Sequence, residues 1–326
     1  MYTEPRTATD RRSPCQSDLQ DTSEEWLVYR MTRYRTGFVG VFGQTNVGKS
    51  TFLNEVLGRK LLMTSAKPQA TRNRIQCVHT TDEGQIVFVD TPGLHRPKNK
   101  LGRHLLREAH RGARGMNVMA YVIEPWGAVH PVDRDALDHW ADHEAVKVLL
   151  VNKIDTARGN ALEETLLAYA ALDQFADLIP ISAARGIGLD DAVRTIISHL
   201  PEGDPLFPSD VACEHAEEFL VAELVRDHVF RHTRQEVPYA SAVNVKWIRE
   251  GENGVTEIRA EIVVARESQR GILIGKAGNV IKAIGSGARA DIEQLLGTRV
   301  YLQLTVRAEP RWTEKDDDIE RLTNIE

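Results

Sequence analysis

The chain has little of what a secreted or membrane-spanning protein needs. Its 326 residues contain only three cysteines, Cys15, Cys77 and Cys213. They are isolated in sequence and odd in number, which argues against a disulfide framework or a cysteine zinc site and for a reducing cytoplasm. No apolar run approaches the roughly 18 residues of a membrane span, and Arg11-Arg12 is followed by no apolar segment, so neither a secretory nor a twin-arginine leader is expected. Excess positive charge is absent: 41 Lys and Arg stand against 47 Asp and Glu, a formal net charge of −6. Any nucleic-acid surface must therefore be local. The 11 histidines show no metal-ligand spacing and are read as ordinary surface or core residues.

What is present is a phosphate-cradling loop. Gly43-Gln-Thr-Asn-Val-Gly-Lys-Ser-Thr51 fits Gly-x-x-x-x-Gly-Lys-[Ser/Thr] and lies between the apolar run Phe38–Phe42 and a helical segment from Thr51. That strand, loop, helix context is what the motif requires. A triphosphate is a dense anion, and the N–H groups at a helix N-terminus direct positive dipole at it. Gly43, Asn46, Val47, Gly48 and Thr51 are expected to wrap the phosphates. Lys49 should reach the β- and γ-phosphates, and Ser50 should ligate Mg²⁺.

Apolar runs alternate with helical patterns from Gly37 to about Leu200, which predicts an α/β domain with a mostly parallel sheet covered on both faces. Such sheets bind ligands beyond the carboxyl ends of their strands. Pro201 to Pro208 is turn-rich and marks a boundary. Beyond it the order is α-β-β-α-α-β, beginning with a strongly amphipathic helix from about Glu214 to Gln235. The expected division is a disordered extension at 1–35, in which Trp26–Tyr29 could form a short docking helix, a nucleotide domain at 36–200, a linker at 201–212, a second, α+β domain at 213–312 and an acidic tail at 313–326. The charge run in that tail, Glu314-Lys-Asp-Asp-Asp318, reads as a solvated end.

Three further stretches carry chemistry. Asp90-Thr-Pro-Gly93 follows an apolar strand; Asp90 is placed to hold Mg²⁺ and Gly93 to present its N–H to the γ-phosphate. Asn152-Lys153-Ile-Asp155 closes another strand. The Asp155 carboxylate can accept from guanine N1–H and the 2-amino group, donors that adenine lacks, so this box rejects ATP. Ser182-Ala183-Ala184 follows the next strand and would offer backbone N–H to guanine O6. GTP or GDP with Mg²⁺ is the expected ligand.

Gly43–Ser50, Thr71, Asp90–Gly93, Asn152–Asp155 and Ser182–Ala184 together look like the five boxes of a translation-factor-class small GTPase. Lys67-Pro-Gln-Ala-Thr71-Arg-Asn-Arg-Ile75 resembles the first switch of the Era family, in which the matching Thr closes over Mg²⁺ and γ-phosphate. In the second domain, Gly275-Lys276-Ala277-Gly278 resembles the Gly-x-x-Gly loop of a type II KH module, which clamps a single-stranded nucleic-acid backbone. Phe219–Arg226, Arg266–Gly278 and Ala288–Gly297 strengthen the resemblance to Era-type GTPases, which covers about Thr36 to Trp312.

The resemblance implies a cytoplasmic bacterial GTPase that binds 16S ribosomal RNA near its 3′ end. It also implies help in biogenesis of the small (30S) ribosomal subunit, action as a monomer, and some peripheral membrane association. Lys49, Thr71 and Gly93 would be the residues acting on the transferring phosphoryl group. The departures from the family pattern are Gln44-Thr45 for the usual Arg-Pro, Ala70 for Thr, Ala277 for a common Gly, and a longer N-terminal extension.

Leu94 stands where Ras-like enzymes carry a water-orienting Gln, which predicts slow intrinsic turnover. Asn46 matches a position that helps bind K⁺ in potassium-dependent GTPases; the other reading is loop geometry, since Asn tolerates unusual backbone angles. Two other readings of the chain stay open. It could be a tRNA-modifying or metabolic GTPase, or an RNA-binding module with a structural nucleotide domain. No further catalytic constellation supports the first, and intact Lys49, Ser50, Asp90 and Asp155 speak against the second.

Overall fold

Continuous apolar runs such as Val118–Ile123 cannot present a polar face to water, and their strands lie inside a sheet covered on both sides. The computed structural model of the chain describes residues 34–64, 71–97, 100–213 and 217–323. The expected extension at 1–35, except for residues 34 and 35, and the switch residues 67–70 lie outside the described residues.

The first sheet has six strands, β1 Arg35–Phe42, β2 Ile75–Thr80, β3 Gly84–Asp90, β4 Val118–Ile123, β5 Val146–Val151 and β6 Asp177–Pro180, in the order β2-β3-β1-β4-β5-β6. Only the β2–β3 pair is antiparallel. Five helices cover the sheet: α1 Lys49–Leu57, α2 Lys100–Arg111, α3 Pro131–His139, α4 Ala161–Ala170 and α5 Leu189–Ser198. Phe52 and Leu53 of α1 and Ile196 of α5 pack into one apolar cluster with Val39, Val41 and Phe88. Ala109 of α2, Leu137 of α3 and Tyr169 of α4 pack into the other with Phe42, Val89 and Leu149.

The second sheet has three strands, β7 Ser241–Glu250, β8 Val255–Val264 and β9 Arg299–Ala308, with β7–β8 antiparallel and β8–β9 parallel. Helices α6 Glu217–His232, α7 Glu267–Ile274 and α8 Asn279–Leu296 complete the α-β-β-α-α-β order. Among the described residues no helix is long and apolar enough to cross a membrane.

Several expectations are corrected. Helix α6 is not amphipathic: every residue from Leu220 to Phe230 is buried, charged Glu223, Arg226 and Asp227 included. The reason is that it packs against α8 and β7 of its own domain on one side, while Lys60 and Arg72 of the nucleotide domain reach Asp227 and Phe230 from the other. The helix tolerates this because Glu223 holds the Arg226 guanidinium through two oxygens, and Lys60 reaches Asp227 at 3.3 Å.

Residues 314–317 of the charge run are exposed, as expected of a solvated face, but the segment does not end free: the residues that follow dock onto the protein. Residues Asp316–Thr323 form α9, which buries Ile319 and Leu322 against Trp312, Ala242 and Val263 of the second domain and Leu101 and Leu105 of α2. Its acids gather on the first turn, where the helix dipole favours them, and Ile319, Leu322 and Thr323 form its buried side.

The 201–212 stretch is laid along the first sheet. Gln85 accepts from the Leu206 and Phe207 amides at 2.8 and 2.9 Å and donates to the Phe207 carbonyl at 2.7 Å. Two of the cysteines, distant in sequence, also meet: Cys77 on β2 pairs antiparallel with Cys213 through the backbone, and both are free thiols. The hydrogen bond to Cys213, and after it burial, raises the Cys77 thiol well above its ordinary value, which keeps it protonated and inert.

Candidate nucleotide and RNA sites

Parallel register brings the motif-bearing loops to one edge of the first sheet. Val41 pairs with Asp90, Phe42 with Tyr121, Ile123 with Val151, and Val151 with Pro180. The loop from Gly43 thus opens beside the end of β3 and on the same sheet edge as the ends of β5 and β6. Gly43 has φ +134°, and a Cβ there would stand 2.1 Å from the Val122 carbonyl oxygen, so no other residue fits. Gly48, with φ 99°, caps α1, whose first turn carries no acidic residue and so leaves its dipole for an external anion.

Lys49 is buried and donates to the carbonyls of Gly43 at 3.1 Å and Gln44 at 2.9 Å. Burial lowers its ammonium to about 8, against the attraction of Asp90 and Asp133. Ser50, Thr71 and Asp90 converge: Ser50 Oγ lies 3.1 Å from Thr71 Oγ1, and both hydroxyls donate to Asp90 Oδ2, at 3.2 and 3.1 Å. Ligands at adjacent corners of a magnesium octahedron stand about 3 Å apart for Mg–O bonds of about 2.1 Å. These three oxygens match that spacing and are the hard donors Mg²⁺ prefers, and Asp90 Oδ1 is buried with no hydrogen-bond partner. Burial raises the Asp90 carboxyl to about 6, against the pull of Lys49 and its two hydroxyl donors.

Asn152 ties two boxes together. Its Nδ2 donates to the Val47 carbonyl at 2.8 Å and its Oδ1 accepts from the Ala183 amide at 2.9 Å. Ser182 Oγ donates to Asp155 Oδ1 at 2.6 Å and orients that exposed carboxylate. Ala183 spends its amide on Asn152 and Ser182 donates its own to Ile187, so Ala184 is the exposed member of this box. Lys153 donates to the Asn46 carbonyl at 2.7 Å and pairs with Glu124 at 2.6 Å. Asn46 itself has φ 69°, a left-handed conformation that Asn tolerates, which is the loop-geometry reading of this residue.

Gly93 packs against Thr45, and Leu94 donates its amide to Gly43 O at 3.0 Å while its side chain enters the core. Leu94 therefore cannot orient a water.

Sequence reasoning missed the residues that hold these boxes. Asp133 on α3, fully buried, accepts from Tyr121 at 2.9 Å, Tyr169 at 2.7 Å and Gln44 at 2.9 Å. Gln44, a departure from the family pattern, thereby pins the phosphate loop to α3. The only sequence signal was an acid in the first turn after Pro131, which a helix N-terminus explains by itself.

In the second domain, Gly275 at φ 72° ends α7 and Gly278 at φ 78° caps α8, with Lys276 and Ala277 exposed between them. Ala277 has φ 52° and ψ 29°, which costs a residue with a Cβ about 1 kcal/mol. Ala277→Gly should therefore raise stability by up to about 1 kcal/mol despite the added chain entropy of Gly. Thermal melting of the two proteins checks this, and a lower melting temperature for the glycine variant would contradict it.

A Gly-x-x-x-x-Gly-Lys-Ser loop, a cluster of three hard oxygen donors and an exposed carboxylate at one sheet edge, followed by a KH module, define a P-loop GTPase carrying an RNA-binding type of domain. The family described as 50S ribosome-binding GTPase matches residues 38–153, and that described as KH domain matches 236–313. The chain belongs to the Era GTPase family. It is 43% identical to GTPase Era of Geotalea uraniireducens (strain Rf4) over 284 residues, 86% of this chain and 95% of the relative. It is 40% identical to that of Thermotoga maritima over 285 residues, 86% and 94% of the two chains. Among solved structures, a point variant of Aquifex aeolicus Era bound to GDP·AlF4⁻ superposes with a TM-score of 0.85 at 34% identity, covering 90% of this chain and 100% of the other. Era in complex with MgGDPNP and nucleotides 1506–1542 of 16S ribosomal RNA gives 0.84 at 33% identity, with the same coverage.

Proposed function

We propose that this GTPase is a nucleotide-timed binder of the 3′ end of 16S ribosomal RNA that assists 30S subunit biogenesis in the cytoplasm. The observation that carries the reading is the Gly275–Gly278 loop. Two left-handed glycines bring the backbone of a helix N-terminus to the surface, Lys276 is exposed beside it, and the first turn of α8 holds no acid to repel a phosphate. The complex of a related Era with a 16S fragment supports the same ligand for this chain.

In this reading Lys49 holds the β- and γ-phosphates while Ser50, Thr71 and Asp90 hold Mg²⁺, which neutralises charge on the transferring phosphoryl group. The Gly93 amide faces the γ-phosphate, and loss of that phosphate releases Thr71 and Gly93 together. Asp155, oriented by Ser182, selects guanine. With Leu94 in the core, intrinsic turnover is slow and water is placed by backbone or a partner. Potassium at Asn46 remains a proposal for the same loop; equal turnover in K⁺ and Na⁺ at matched ionic strength removes it.

The test is a titration of labelled RNA matching the 16S 3′ end, with GDP and with a non-hydrolysable GTP analogue, beside a scrambled RNA and Gly278→Asp. No atom lies within 4 Å of a Cβ placed at Gly278, and Asp is among the residues that tolerate a left-handed backbone, so the variant folds while its carboxylate repels phosphate. Binding favoured by the analogue, lost in the variant and absent for the scramble is expected. Equal binding in all arms removes the KH reading.

A further inference from the structure

Arg72 is the residue after Thr71 and contacts nothing that the nucleotide chemistry assigns to it. It points away from the phosphate loop and into the second domain. Its side chain is 1% exposed and donates to three backbone carbonyls: Ser241 at 2.7 Å, Tyr239 at 2.9 Å and Pro238 at 3.1 Å. These oxygens line the turn between α6 and β7. Phe230 of α6 lies beneath the guanidinium, 5.9 Å from its centre, and packs edge-on to Tyr239. A carbonyl socket of this kind suits a planar fork of donors and not a point charge.

The turn that receives Arg72 is held from its other side. Trp312 donates its indole N–H to the Ala240 carbonyl at 3.2 Å, and the Trp312 ring shares a cluster with Leu101 and Leu105. Those leucines lie on α2, downstream of Asp90–Gly93. Chain segments following both nucleotide-sensing loops therefore converge on residues 238–242. A separate cross-domain contact, Lys60 with Asp227 and Asp291, touches neither loop.

We propose that Arg72 is a positioning residue for GTP hydrolysis, through which the Pro238–Ser241 turn of the KH domain holds Thr71 at the nucleotide site. Adjacent Cα atoms are about 3.8 Å apart, so a guanidinium fixed in the socket restricts where the Thr71 hydroxyl can go. The coupling works in both directions by thermodynamic necessity: a KH arrangement that seats Arg72 strengthens binding of the triphosphate, and triphosphate strengthens that arrangement by the same factor. This rests on the reading that Thr71 closes over Mg²⁺ and γ-phosphate.

The test uses the full chain and no RNA, so its outcome is independent of whether the 16S reading holds. Affinities for GDP and for a non-hydrolysable GTP analogue with Mg²⁺ are compared in wild type, Arg72→Met, Arg72→Lys and Lys60→Ala. Met fills the socket without donors. Arg72→Met should weaken the analogue at least tenfold and GDP less than twofold, because Thr71 engages only the triphosphate state; its single-turnover rate should fall in parallel. Arg72→Lys, which retains charge but not the fork, should lie between. Lys60→Ala should leave the ratio unchanged. A merely structural Arg72 would lower both affinities together with the melting temperature, and that result overturns the proposal. Hydrogen exchange of the wild-type amides 239–242 needs no variant: protection should be higher with analogue and Mg²⁺ than with GDP, and identical exchange in the two states also overturns it.

Discussion

Lys49→Met abolishes GTP turnover by about two to three orders of magnitude, the scale on which a single preorganised charge acts at a phosphoryl-transfer site, and at the same time stabilises the nucleotide-free protein. The two effects have one cause. The buried ammonium donates to the Gly43 and Gln44 carbonyls, and burial lowers it from 10.5 to about 8 despite the attraction of Asp90 and Asp133. A lysine depressed in the folded state costs stability at every pH where the unfolded chain keeps it charged. The cost is complete below pH 8, shrinks as pH rises, and vanishes above about 10.5. Met carries no such cost, so the variant should gain about 1–3 kcal/mol at pH 7, and the gain should disappear by pH 11. Single-turnover assays and denaturant melts at the two pH values check both halves. A variant that loses turnover and is also less stable at pH 7 would show that Lys49 supports the loop's fold and not only its ligand. Saturating nucleotide should reverse the order of stability, because only the wild type gains the phosphate contact.

How much of this was legible in the sequence differs between the sites and what holds them. The phosphate loop, Asp90, Asn152 and Asp155 could be read because each box has a fixed spacing to a strand end, and parallel register then leaves no choice about where they meet. The α-β-β-α-α-β order and the left-handed glycines of the KH loop were readable for the same local reason. The fate of α6 was not. Its Glu223, Arg226 and Asp227 look like the polar face of a surface helix, and only the packing of two domains against it turns them into buried ion pairs. The acidic run before Ile319 does face solvent; what it hid is the apolar side of the same helix, for which Trp312 and Leu105 supply a partner. Arg72 lay inside a recognised motif, yet its direction was invisible because the socket is built from backbone carbonyls, which leave no mark in the sequence. Cys77 and Cys213, 136 positions apart by subtraction, meet only because the linker runs back along β2.

Asp133→Ala should be strongly destabilising although it lies away from the ligand-binding loops. The carboxylate is fully buried and takes three hydrogen bonds, from Tyr121, Tyr169 and Gln44. Burial raises its pKa, and the three donors offset that only in part. Removing it orphans two phenols, Tyr121 being itself buried, at about 1–3 kcal/mol for each unsatisfied group, and leaves a void on α3. A loss of about 3–5 kcal/mol follows, read as a fall in melting temperature of about 10 °C or more for a domain of this size. Asp133→Asn separates charge from hydrogen bonding. It keeps one acceptor oxygen and removes the buried charge, and a phenol can rotate to accept from its amide, so about 1–2 kcal/mol is expected. The functional consequence passes through Gln44. Without its anchor on α3 the phosphate loop gains freedom that GDP binding must again remove, so both variants should bind GDP more weakly than wild type, the alanine variant by about tenfold. If the two variants lose equal stability, the charge itself and not the hydrogen-bond set holds this corner. Unchanged GDP affinity in the alanine variant would mean that Gln44 is a passenger and the loop is shaped by Gly43, Gly48 and Asn152 alone.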